Sequence, residues 1–143
     1  MFGAFRRYLS TDLAIEAVQA ALAACASQGT KVTALMIDSE GVPIALVSAD
    51  GGVLTERLVA SKARVALKTK MTSAEAQARS KTDPAFLAAL MADPYAGAPF
   101  QGGLPVMMNG EIAGAFAVGG ASSGAQDETC AKAGLAKIQD RLR

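Results

Sequence analysis

Histidine is missing from this 143-residue chain. A Ser-His-Asp triad, a Cys-His dyad, a His-ligated zinc and a His-ligated heme are therefore excluded within one chain. Tryptophan is also absent, and five Phe with two Tyr offer little for base stacking. Lys and Arg total 14 against 13 Asp and Glu, so no net field draws nucleic acid, which is not expected as a partner. A long apolar run is lacking too. Asp12, Glu16 and Gln19 interrupt the region that would form a secretory signal, and no stretch is long enough to span a membrane. The two cysteines, Cys25 and Cys130, lie far apart with no CxxC or metal-ligand spacing. They read as small core residues of a reduced, cytoplasmic protein, and no metal site is expected.

What is present is apolar. Hydrophobic side chains make up 51% of the chain, enough for one core, so residues 1–143 are expected to form a single domain behind a polar lead-in over 1–9. The alanine content and positive mean hydropathy suggest more apolar surface than a small monomer hides, which favours a homo-oligomer. Ser10 or Thr11 can cap a helix over about 12–28 with Ile15, Val18, Leu22 and Cys25 at helical spacing. Strands are expected at 31–38 and 42–49, joined by a turn at 38–41, with Pro43 at a strand start or an outer edge. A helix over 55–68 follows, with Lys62 on its apolar stripe between Leu58 and Val65, and Arg57, Arg64 and Lys68 on a face read as solvated. Thr72 with Glu75, and Asp83 with Pro84, announce two short helices that look like a lid or connector. The Gly- and Pro-rich stretch 94–105 is the longest irregular segment, the kind of loop that carries sites. Asn109-Gly110 then predicts a type I′ turn between strands at 106–108 and 111–118. Ile112, Phe116 and Val118 are expected on one face of the second strand and Ala113, Ala115 and Ala117 on the other, a surface smooth enough for close packing. A last helix is expected over about 126–142.

Gly120-Ala121-Ser122-Ser123-Gly124 matches the GxSxG pattern, but without histidine and without a parallel βαβ pattern it is no nucleophile elbow. Gly119 and Gly124 have Walker spacing, yet Ala125 and Gln126 stand where Lys and Ser or Thr would bind phosphate and magnesium. What remains is a glycine-rich loop feeding a helix N-terminus, whose unpaired N–H groups favour a carboxylate or propionate. Asp127 and Glu128 compete for the same dipole, with Glu128 also placed four residues before Lys132; Asp127 as cap and Glu128 turned inward would satisfy both readings. Lys62 reads either as a cation or general base on a pocket wall or as a lysine snorkelling past apolar neighbours. Met107 and Met108 point to opposite faces and read as ordinary packing residues rather than soft-metal ligands.

The segments Ile37-Asp38-Ser39-Glu40-Gly41, Asp50-Gly51, Ser61-Lys62-Ala63, Phe100 through Val106, Asn109-Gly110-Glu111, Gly114, Val118-Gly119-Gly120 and Gln126-Asp127-Glu128 stand in an order that resembles the GlcG/HbpS family. That family is also called the heme-degrading-domain family and includes PduO C-terminal domains. The resemblance implies an α+β, profilin-like fold of α/β/α layers around an antiparallel sheet of about five strands, assembled as a dimer, tetramer or octamer. It further implies handling of heme or a corrinoid, or a place in small-acid catabolism. Ser48 and Ala49 stand where relatives often carry an Arg-Met pair. With no histidine, a heme would need Tyr95, a Met, a Cys or Lys62 as ligand, or no strong ligand. The leading expectation is a small-ligand-binding protein whose pocket is formed by Lys62, Phe100, Gly102, Gly103, Gly119, Gly120, Asp127 and Glu128. The alternative is a cofactor-independent isomerase, hydratase or lyase with Lys62 and Glu128 as its acid and base.

Overall fold

A computed structural model describes residues 8–52 and 56–142. Helix α1 (Thr11–Ala26) begins where the Ser10 hydroxyl accepts a hydrogen bond from the Leu13 N–H. Strands β1 (Thr33–Asp38) and β2 (Pro43–Ser48) form the first hairpin, with Pro43 first in its strand. Helix α2 (Glu56–Thr69) follows, and Thr55, where sequence places its start, lies outside the described residues. Helix α3 (Ser73–Ser80) opens on the expected Thr72–Glu75 capping box, and α4 (Pro84–Ala92) opens on Asp83 with Pro84 in its first turn. Strands β3 (Gly103–Met108) and β4 (Glu111–Gly119) flank Asn109-Gly110, where both residues have the positive φ that the turn needs. Helix α5 (Gly124–Ile138) closes the chain with a 3₁₀ turn at Gln139–Arg141.

The strands form one antiparallel sheet in the order β2-β1-β4-β3. Four strands are described, the four that the sequence pattern predicts and slightly fewer than the roughly five that the family resemblance implies. Helices α1 and α5 cover one face, where Ala34, Met36, Phe116 and Val118 meet Val18, Ala21, Ala131 and Ile138. Helix α2 covers the other, where Leu35, Ile37, Ala115 and Ala117 meet Val59, Ala63, Ala66 and Leu67. The smooth alanine side of β4 thus receives a helix. Close packing there requires small residues, because methyl groups let a helix axis approach the sheet.

Two sequence expectations give way. Ile112 was placed beside Phe116, but it packs with the α2 cluster while Ala113 enters the opposite core. Val106 pairs with Gly114 and Met107 with Ile112, so Ala113 is an extra residue in β4, and such a bulge inverts the alternation on either side of it. The second correction concerns the cysteines. Cys25 and Cys130 are joined in a disulfide with their Cα atoms 5.7 Å apart, tying the last turn of α1 to α5. Sequence distance, here 105 residues, carries no information about two helices lying side by side. The free thiols, and with them the ground for expecting a reducing compartment, are gone. Among the described residues, no helix is long and apolar enough to cross a membrane.

Candidate ligand-binding site

Lys62 lies on α2 with its side chain buried, only 3% exposed. Its Nζ donates to the Val118 carbonyl at 3.0 Å and to Asp127 Oδ2 at 2.8 Å. Asp127 comes from the first turns of α5 and uses its other oxygen to accept from the Ala121 N–H at 2.9 Å. One buried ion pair therefore ties α2, the end of β4, the following loop and α5 together. Burying two charges is favourable only when their remaining hydrogen-bonding capacity is satisfied. Asp127 meets that condition through both oxygens. Lys62 has a third N–H, for which no acceptor is found among the described residues.

Lys62 and Asp127 line a cavity of about 570 Å³. Leu58 and Phe100 supply apolar walls, Gln77 and Gln101 polar ones, and the loop from Gly120 to Gly124 forms the side next to α5. Ser123 caps α5 by accepting from the Gln126 N–H, while the Gln126 side chain accepts from the Ser122 N–H. The amides of Gly124 and Ala125, first in the helix, are left without intrahelical acceptors.

Of the residues expected in the pocket, Lys62, Phe100, Gly120 and Asp127 line this cavity. Gly102, Gly103, Gly119 and Glu128 do not. The first two glycines act beneath it. A Cβ on Gly102 would stand 2.7 Å from the Val118 oxygen and 2.8 Å from Lys62 Nζ, and one on Gly103 would overlap the Lys62 carbonyl. The pair lets β3 and its lead-in slide under Lys62, while the buried Ser73 hydroxyl accepts from the Gly103 N–H at 2.8 Å. Gly119 ends β4.

Ser123, not Asp127, is the cap. The inward carboxylate is Asp127 and not Glu128, while Glu128 makes the pair with Lys132, at 3.3 Å, that its spacing also offered. The helix begins two residues earlier than its sequence pattern suggests, and neighbouring residues on a helix point about 100° apart. A small error in the start thus selects the wrong carboxylate. Gln101, Ala121, Ser123 and Gly124 lie in the two loops expected to border the pocket, whereas Leu58 and Gln77 were not expected there. For Leu58 a signal existed, since it stands one helical turn before Lys62; for Gln77, on a helix read as a connector, none did.

The residues suggested for iron ligation are dispersed. Both cysteines are in the disulfide, Met36 and Met108 are buried in the α1/α5 core, and Tyr95 borders a different cavity. Lys62 is committed to its ion pair. No group of three or more His, Cys, Asp or Glu able to hold a metal occurs among the described residues.

A two-layered helix arrangement on a four-stranded antiparallel sheet, with a buried lysine beneath an open cavity, defines a small α+β protein built around one pocket-bearing helix. The chain belongs to the HbpS-like family, described as haem degrading protein HbpS-like, which matches residues 9–136. Among solved structures it is similar to HbpS, with 26% identity, 96% of each chain covered and a TM-score of 0.85. A double mutant of Streptomyces reticuli HbpS gives 27% identity over 96% of this chain and 93% of that one, with a TM-score of 0.83. A PduOC:heme complex has the same fold at 20% identity, over 92% of this chain and 96% of the other, with a TM-score of 0.72. No curated protein sequence matches the chain.

Proposed function

We propose that this chain is a small-ligand-binding protein that holds an anionic molecule with an apolar body, a heme-like or other tetrapyrrole carboxylate being the leading class, in the cavity above Lys62. The observation that carries the reading is the third Lys62 N–H, left without an acceptor among the described residues, on a lysine that lines the cavity together with apolar Leu58 and Phe100. A carboxylate would accept from that ammonium and from the first amides of α5, while rings would rest on Phe100. The family membership and the heme in a structure of the same fold support the ligand class. The cavity residues suit a tetrapyrrole's carboxylates and apolar faces, but they do not suit an axial bond to iron. Binding would therefore be indifferent to the metal.

The acid and base reading has less support. Glu128 is paired with Lys132, and both Asp127 oxygens are occupied, so among the described residues no uncommitted carboxylate lines the cavity beside Lys62. Self-association, as a dimer or larger assembly, is supported by the outer strand β2, which bears no charge and leaves Leu46 and Val47 exposed beside Val42.

Titration with hemin and with metal-free protoporphyrin, followed by visible absorbance, tests the ligand reading. The expected result is a saturable band shift for both, weakened about tenfold or more in Leu58→Glu, which sets a negative charge against the ligand, and in Phe100→Ala. Binding of hemin alone, or equal binding by both variants, would overturn it.

A further inference from the structure

On the opposite flank of α2 lies a second cavity, of about 310 Å³, between the helix, β1 and the β1–β2 turn. Its floor is apolar, from Leu35, Ile37 and Pro43, and Ala60 and Arg64 form the helical wall. Sequence places Arg64 on a solvated face, but its side chain is two-thirds buried and its position is determined from several sides. Nε donates to Asp93 Oδ2 at 3.1 Å, and the guanidinium carbon stands 5.7 Å from the centre of the Tyr95 ring. Asp93 itself is buried, accepts from the Tyr95 N–H at 2.9 Å through its other oxygen, and meets Lys68 at 3.4 Å. Gly41 completes the frame: a Cβ there would stand 2.8 Å from Nη1, so the turn leaves the guanidinium its space.

This arrangement fixes Nε and leaves the two Nη groups, a ready fork of donors, without an acceptor among the described residues. We infer that this cavity is a second binding site, for a small monocarboxylate whose carboxylate meets the Arg64 fork and whose aliphatic body lies on Leu35, Ile37 and Pro43. A guanidinium fork matches the two oxygens of one carboxylate, and a preoriented fork loses little freedom on binding. The setting suits one carboxylate. The Arg64 fork matches the two oxygens of a single group, and the floor of Leu35, Ile37 and Pro43 would strip the water from a second anionic group without replacing it. The inference does not depend on the Lys62 cavity, which shares no lining residue with this one.

The test is a titration with isovalerate followed through the backbone amide resonances of Gly41 and Tyr95, with uncharged isovaleramide as control. Isovalerate is expected to give saturable shifts at both amides and isovaleramide none. Arg64→Gln should weaken binding about tenfold or more, and Arg64→Lys, which keeps the charge and loses the fork, by an intermediate amount. Ala60→Met fills the cavity and leaves the Arg64–Asp93 pair in place, so it keeps the question decidable if Arg64 variants disturb folding; it should abolish the shifts. Absence of saturable shifts, equal response to the amide, or unchanged binding in Ala60→Met would overturn the proposal. So would shifts at these amides that follow protein dilution rather than isovalerate, because a second copy would then occupy the notch.

Discussion

The two faces of the sheet are built on opposite plans. Beneath α1 and α5, large side chains such as Phe116, Met36 and Ile138 are fully buried, and a disulfide holds the two helices together. Beneath α2, Ala115 and Ala117 of β4 lie beside Leu35 and Ile37 of β1, and a single helix carries a cavity on either flank. Leu58 and Lys62 are four residues apart and face one cavity, while Ala60 and Arg64, displaced by two residues, face the other. Two residues correspond to about 200° of helical rotation, so the two pairs must diverge. The comparison teaches that bulk and covalent closure secure one side, while small residues on the other let charged groups be positioned beside open space.

The largest expected effect breaks the α2 side. Lys62→Met leaves Asp127 buried without its cation and should cost about 3–5 kcal/mol in urea denaturation. Adding Asp127→Leu should recover most of that stability without restoring protoporphyrin binding. Such an outcome would separate the pair's structural role from its contribution to the ligand. Recovery of binding along with stability would show that the ammonium is not a ligand contact.

Removing the disulfide with Cys25→Ala and Cys130→Ala attacks the other side and should cost about 2–4 kcal/mol, read from the same denaturation curves. Protoporphyrin affinity at temperatures well below unfolding should hold, since neither sulfur borders the cavity. A parallel loss of affinity would mean that the two faces are not independent. Gly103→Ala is a smaller perturbation, because one methyl group against the Lys62 carbonyl must push α2 outward; about 1–3 kcal/mol is expected, together with weakened protoporphyrin binding.

The smallest effect is electrostatic. Burial pushes the Asp93 carboxyl up, but the Tyr95 N–H and the Arg64 guanidinium more than offset this, leaving it below the ordinary aspartate value. A carboxyl depressed in the folded state contributes stability at pH values above its unfolded pKa and loses that contribution as pH falls through the folded one. The tie between α2 and the loop after α4 should therefore persist at neutral pH and weaken from about pH 4 downward. Amide shifts of Tyr95 across an acid titration would show it. A transition centred above pH 5 would contradict the depressed value.

Local chemistry made much of this architecture legible. Asn109-Gly110, the Thr72–Glu75 capping box and Asp83-Pro84 each satisfy a nearby backbone requirement, so reading them needs only a few residues of context. Lys62 was recognisable because a charge on an apolar stripe calls for a partner. Which partner it finds was not recognisable, since Asp127 and Glu128 differ only in their angle around α5, and that angle depends on where the helix starts. The disulfide and the extra residue in β4 were hidden for a related reason: both depend on how distant segments align.

The disulfide also changes how the chain would bear force. All four strands, helices α2 to α4 and the residues of both cavities lie between Cys25 and Cys130, inside a covalent ring. Tension applied at the two ends would run through α1, across the sulfur–sulfur bond and out along α5. The sheet and its pockets would remain slack until that bond was cut.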